Sequence, residues 1–145
     1  MLNARKLRIL VVTDTATPTP PMLEAIRRRA SPGQTQFRVV VTNPARAEVH
    51  LLHPERHDKA AEAEQVLRAA LPDLERAAGG HVIGSVSVFH DPMDAIEHII
   101  DHEPVDEIIL AVAAHPWATR LHQDLPHRLA HLKLTVTVPR ALAGD

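Results

Sequence analysis

The chain has 145 residues, with 18 acidic and 16 basic side chains, 11 His, 12 Pro, 5 Gly and no Cys. That is the size of one ordinary domain, and apolar residues at 45% with charged residues at 23% suit a folded globular chain rather than a disordered one. A formal net charge of −2 argues against a general nucleic-acid binder, which carries a basic excess, and the lack of Cys excludes a disulfide framework, a thiolate nucleophile and a Cys-ligated zinc.

The N-terminus carries Arg5, Lys6 and Arg8 but no apolar segment of the length a signal peptide needs. The longest apolar runs, 9–12 and 108–114, fall far short of the roughly 20 residues of a membrane span. A cytoplasmic location is therefore expected, with neither membrane nor nucleic acid as partner. Aromatic residues are only Phe37, Phe89 and Trp117, so the core must be built from Leu, Val, Ile and Ala.

Five short runs rich in β-branched residues read as strands: 7–12, 37–42, 81–89, 107–113 and 132–138. Their continuous apolar character suits parallel strands buried on both faces. Between them lie four helical segments. The first follows Thr17-Pro-Thr-Pro-Pro, where Thr can cap and Pro is tolerated in the first turn, and covers 22–30 before Ser31-Pro-Gly33 ends it. The second, 58–78, sets Ala63, Val66, Leu67, Ala70, Leu71 and Leu74 at helical spacing; Pro72 should kink or split it, and Gly79-Gly80 should stop it. The third opens with Asp91-Pro92-Met93-Asp94 and buries Met93, Ile96, Ile99 and Ile100. The fourth covers 124–131. Residues 43–57 are the longest stretch without a regular pattern, a short extra element or a flap.

This alternation describes a single α/β domain over residues 1–145. The expected architecture is a Rossmann-like, doubly wound, five-stranded parallel sheet in the order 3-2-1-4-5, with helices on both faces. Strands 1 and 4 then meet at the switch point, and a small ligand should bind where their C-terminal ends open a crevice. Those ends are Thr13-Asp14-Thr15 and Ala113-Ala114-His115-Pro116.

Asp14 after Ile-Leu-Val-Val-Thr, the long second helix, the Asp91-Pro92-Met-Asp-Ala95-Ile96 helix start and Asp106-Glu107-Ile108-Ile109-Leu110 together resemble universal stress protein domains, across about residues 8–138. The chain is most similar to a short single-domain branch in which strand 4 runs into an x-His-Pro turn. The resemblance implies a stress-response association and a homodimer formed through the C-terminal edge strand. It also implies that Asp14, Val41 and Thr42 match positions lining the adenosine part of the family's pocket. ATP-binding members carry Gly-x-x-Gly after strand 4, then Gly-Ser or Gly-Thr nine residues on, so that backbone N–H groups reach the phosphates. Residues 113–126 here contain no Gly, and Pro116 and Pro126 lack an N–H altogether. The expectation is a degenerate nucleotide site, with no required cofactor and an adenine nucleotide as the only candidate.

Each candidate residue has two readings. Asp14 either contacts a ligand or holds its own turn through the side chain. His115, at the opposite lip, either faces a ligand or supports the turn before Pro116. Arg120 and His122 either bind an anion in place of the missing glycine loop or sit in a solvated loop. Thr13 and Thr15 flank Asp14. No nucleophile elbow accompanies these groups, so no catalytic residue is assigned and a hydrolase is the weakest reading. The pairs His53/His57, His98/His102 and His127/His131 stand at i, i+4, as in zinc sites, but no third ligand follows from the sequence, and no metal site is assigned. Arg27-Arg28-Arg29 reads as a solvated helix face.

Overall fold

The computed structural model describes residues 6–31, 33–42, 55–89, 92–111 and 135–137. Five strands, β1 (Leu7–Thr13), β2 (Thr35–Val41), β3 (Val82–Val86), β4 (Glu107–Ala111) and β5 (Thr135–Thr137), form one sheet in the order β3-β2-β1-β4-β5. Every neighbouring pair is parallel, with Thr13 level with Val41 on one side and Ala111 on the other. Among the described residues three helices connect the first four strands: α1 (Pro20–Arg29), α2 (Glu55–Ala78) and α3 (Pro92–His102). This is the doubly wound parallel sheet expected from the strand and helix alternation. The expected helix at 124–131 lies outside the described residues.

Successive strand residues point to opposite faces, so the continuous apolar runs feed two cores. Ile9, Val11, Phe37, Val39, Val41, Val82 and Ile109 face α1 and α2, where Met22, Ile26, Leu67 and Leu74 close over them. Leu10, Val12, Val40, Ile108 and Leu110 face α3, which contributes Met93, Ile96 and Ile99.

The ends of α1 follow from its sequence. Thr19 caps it, its Oγ1 accepting from the Met22 N–H at 3.3 Å, and Pro20 and Pro21 occupy the first two helical positions, where a missing N–H costs nothing. At the other end Ser31 turns the chain: its carbonyl accepts from Gln34 N and Thr35 N, and its N–H donates to Thr35 Oγ1. That turn starts β2 at Thr35, two residues before the expected strand.

Pro72 does not split α2, which runs unbroken from Glu55, three residues earlier than expected and inside the stretch read as irregular. Both Pro72 and Arg68, whose carbonyl loses its helical donor, are exposed, so water can take that carbonyl. Val66 is 41% exposed and does not belong to the buried stripe, which runs through Ala63, Leu67, Ala70, Leu74 and Ala77. Gly79, at φ 72°, and Gly80 both donate to the Glu75 carbonyl and end the helix. β3 stops at Val86 rather than 89, because Ser87 Oγ accepts from the Phe89 N–H and bends the chain.

Candidate functional site

The C-terminal ends of β1, β2 and β4 lie side by side at the point where the winding direction reverses, the position at which open α/β sheets bind ligands. Thr13 and Val41 are fully buried, and Thr42, whose N–H donates to the Thr13 carbonyl at 2.9 Å, is nearly so. They form a floor. Above it, residues 14–17 leave the sheet as a chain of hydroxyl turns. Thr15 N donates to Thr13 Oγ1 at 3.2 Å, and Thr13 Oγ1 donates to the Thr15 carbonyl at 3.3 Å. Thr15 and Thr17 repeat the arrangement one step on. Threonines in such turns substitute for a backbone turn and hold the loop against the strand end.

This loop sets the roles of three sequence-derived candidates. The Thr13 and Thr15 hydroxyls shape the loop, while Asp14, half-buried, sits between them at the crevice lip. The structure thus brings Thr13, Asp14, Thr15, Val41 and Thr42 to one place. His115, Arg120 and His122 lie outside the described residues.

His98 and His102 of α3 are both exposed, away from the Met93–Ile96–Ile99 stripe. Their rings stack at a centroid distance of 4.5 Å, and His102 Nδ1 lies 2.7 Å from the His98 carbonyl oxygen, so the pair is engaged along the helix. The Phe89 ring also meets His98, at a centroid distance of 5.4 Å with the planes tilted by 50°. Among the described residues no group of three or more His, Asp or Glu gathers where a metal ion could sit. His53/His57 and His127/His131 lie outside the residues whose side chains are described. No described helix is long and apolar enough to cross a membrane.

The three consecutive arginines of α1 divide. Arg27 and Arg28 reach Glu24 on the exposed helix face at 2.8 and 3.1 Å. Arg29 crosses to Glu107 at the start of β4. The hydrogen bond from Arg28 holds the Glu24 carboxyl below its ordinary value, with Arg27 assisting, and Glu107 raises Arg29.

The sequence reading missed one constellation. Arg8 and Arg38 stand on the α3-facing side of the sheet at its other end, around a hollow closed by Glu103 and Pro104. The available signal was a charged residue inside an apolar strand, Phe37-Arg38-Val39-Val40-Val41.

No protein-family model matches the chain, and no curated protein sequence matches it. Solved structures do. The chain is similar to the structure of a universal stress protein from Archaeoglobus fulgidus, with a TM-score of 0.61 and 14% identity over 94% of this chain and 95% of that one. It is also similar to the crystal structure of a hypothetical protein, PH0823, with a TM-score of 0.61 and 18% identity over 95% of this chain and 97% of that one. These likenesses establish the fold: a five-stranded α/β sheet of the kind found in a universal stress protein.

Proposed function

We propose that the chain is a universal-stress-protein-like regulatory module with a degenerate nucleotide crevice, and not an enzyme. One observation carries this reading. The segment 113–126, which follows β4 and would have to reach a phosphate chain, contains no Gly and includes Pro116 and Pro126. Backbone N–H groups grip phosphates where glycine allows close approach, and proline supplies none. Asp124, at the start of the helix expected over 124–131, would bring a carboxylate that repels a phosphate there. The fold supports the comparison, since the crevice sits where nucleotides bind in open α/β sheets. Pairing of two copies along the β5 edge belongs to the same reading, because β5 is the last strand of the sheet and an edge strand offers unpaired backbone groups.

Native mass spectrometry of untagged protein, with and without ATP, ADP and AMP, tests it. The expected result is a dimer whose mass does not change with nucleotide. A nucleotide-bearing species overturns the degenerate site.

A second reading is favoured by the Thr13–Thr17 loop, which holds Asp14 at the lip above an apolar floor at Val41. In it, Asp14, Val41, His115 and Arg120 hold a nucleotide or other small anion. Asp14→Ala and Arg120→Ala would then each weaken binding while leaving the thermal unfolding profile in place. Unchanged affinity in both removes this reading.

A further inference from the structure

The hollow at the opposite end of the sheet lies beneath the first residues of β1 and β2 and behind the turn that joins α3 to β4. Its volume is about 50 Å³. That is several times what one water requires, and enough for a head group with a few carbons. Arg8 and Arg38 share one face of the sheet, because Arg38 is level with Leu10 and Arg8 stands two residues before Leu10 on the same strand. Glu103 faces them, its Oε2 2.9 Å from Arg38 Nη1. Gln36, Ile83 and Pro104 complete the wall.

Two features mark this as more than a gap. The Nε of Arg8 and the Nε of Arg38 are both buried and have no hydrogen-bond partner among the described residues. Buried donors are nearly always satisfied, and one left over commonly marks the place of an absent acceptor. Moreover, Arg38 interrupts an otherwise apolar strand, and a residue that breaks the local pattern often serves function.

We propose that the hollow binds a small monocarboxylate with a short apolar body. A carboxylate matches the planar donor fork of a guanidinium, and it would accept from the two donors that lack partners. Within the lining two arginines face one glutamate, which leaves one positive charge for a monoanion, while Asp106, behind the wall and already accepting from the Arg8 backbone N–H at 2.8 Å, offsets part of that charge and weighs against a dianion. A dianion such as phosphate would also meet Glu103. Ile83 and Pro104 offer the apolar wall for the alkyl portion. Both Nε atoms are closed to water, so entry of the ligand turns the guanidinium groups about their outer torsions. Arg38, with 30% of its side chain exposed, has room to turn.

The proposal is independent of the crevice at the other end and is tested separately. The arginine Nε–Hε signals of the full chain are followed by ¹H–¹⁵N NMR during titration with isobutyrate, with neutral isobutyramide and inorganic phosphate as parallel arms. The signals are assigned with Arg8→Lys and Arg38→Lys. The expected result is a saturable shift of both signals with isobutyrate, at a dissociation constant on the order of millimolar for so small a ligand. Phosphate and isobutyramide should bind at least about tenfold more weakly. Glu103→Gln keeps an acceptor for Arg38 but removes the competing charge, and should tighten isobutyrate binding about fivefold. Static Nε–Hε signals, equal binding of the amide, phosphate binding as tightly as isobutyrate, or no gain in Glu103→Gln would each overturn the assignment.

Discussion

Arg29, the last residue of α1, and Glu107, the first residue of β4, form a two-point ion pair across 78 residues of sequence. Arg29 Nε donates to Glu107 Oε1 at 2.8 Å, and Nη2 donates to Oε2. The Glu107 side chain is only 15% exposed. The pair ties the C-terminal end of the first helix to the start of the strand that flanks the crevice, and fixes α1 against the sheet at the end away from its Thr19 cap.

Arg29→Ala should therefore destabilise the fold by about 1–2 kcal/mol, since it leaves a largely buried carboxylate without its partner while solvent at the arginine limits the loss. Arg29→Lys should recover only part of this, because an ammonium cannot reproduce the fork. The change appears as a lower urea midpoint at an unchanged slope. Equal stability of wild type and Arg29→Ala would show that the pair contributes nothing.

The acid side of the stability profile should carry a mark of Glu24. Its folded-state carboxyl is held below the ordinary 4.5 by Arg28 first and Arg27 second. A depressed carboxyl stabilises the fold above its unfolded value and loses that contribution as pH falls through the folded value. Glu24→Gln should thus have a flatter stability profile below about pH 4.5 than wild type, by a small margin at this exposed site. The Arg29 shift is upward, so its contribution is fully present at every pH below the ordinary arginine range and adds no slope near neutrality. A parallel acid limb in the two proteins would count against the Glu24 assignment.

Gly84 is level with Val39 on β2 and lies under α2. A Cβ there would come within 3.2 Å of Leu67 Cδ2 and 3.3 Å of Leu71 Cδ2. Leu67 is buried and has little space to retreat. Gly84→Ala should cost about 1 kcal/mol, although alanine usually suits a strand better than glycine, and Gly84→Val should cost more. Chemical denaturation of the two variants checks both the sign and the order.

Thr19→Ala removes the acceptor for the Met22 N–H, the first N–H of the helix, since Pro20 and Pro21 carry none. A loss of about 1 kcal/mol is expected, with Thr19→Ser close to wild type. Equal melting of all three proteins would remove the cap from the account of α1.

The fold was legible in the sequence because its strands are continuous apolar runs, each followed by a segment with its own start and stop signals. Ile9–Val12 and Ile108–Leu110 could only be buried on two sides. What the sequence concealed has local causes. Pro72 looked like a break because its exposure, which lets water replace the lost hydrogen bond, is a tertiary fact. The hydroxyl turns that tie Thr13 to Thr15 and Thr15 to Thr17 fall within a run of threonines and prolines whose pairing no periodicity reveals. The arginine hollow joins residues of three strands, β1, β2 and β3, with the turn between α3 and β4, which only the fold brings together. At the crevice, Asp14 was legible from its place at the end of an apolar strand.

The central strand has a consequence for how the chain reaches this state. β1 is made first, yet Ile9 finds its neighbour at Glu107, 98 residues later in synthesis. Until β4 has left the ribosome, one long edge of the most apolar strand stays unpaired, and an all-parallel sheet offers no hairpin to cover it. Folding should therefore be slow for a chain this short and should finish only after most of it has been made. The nascent β1 is the segment most in need of a chaperone's cover.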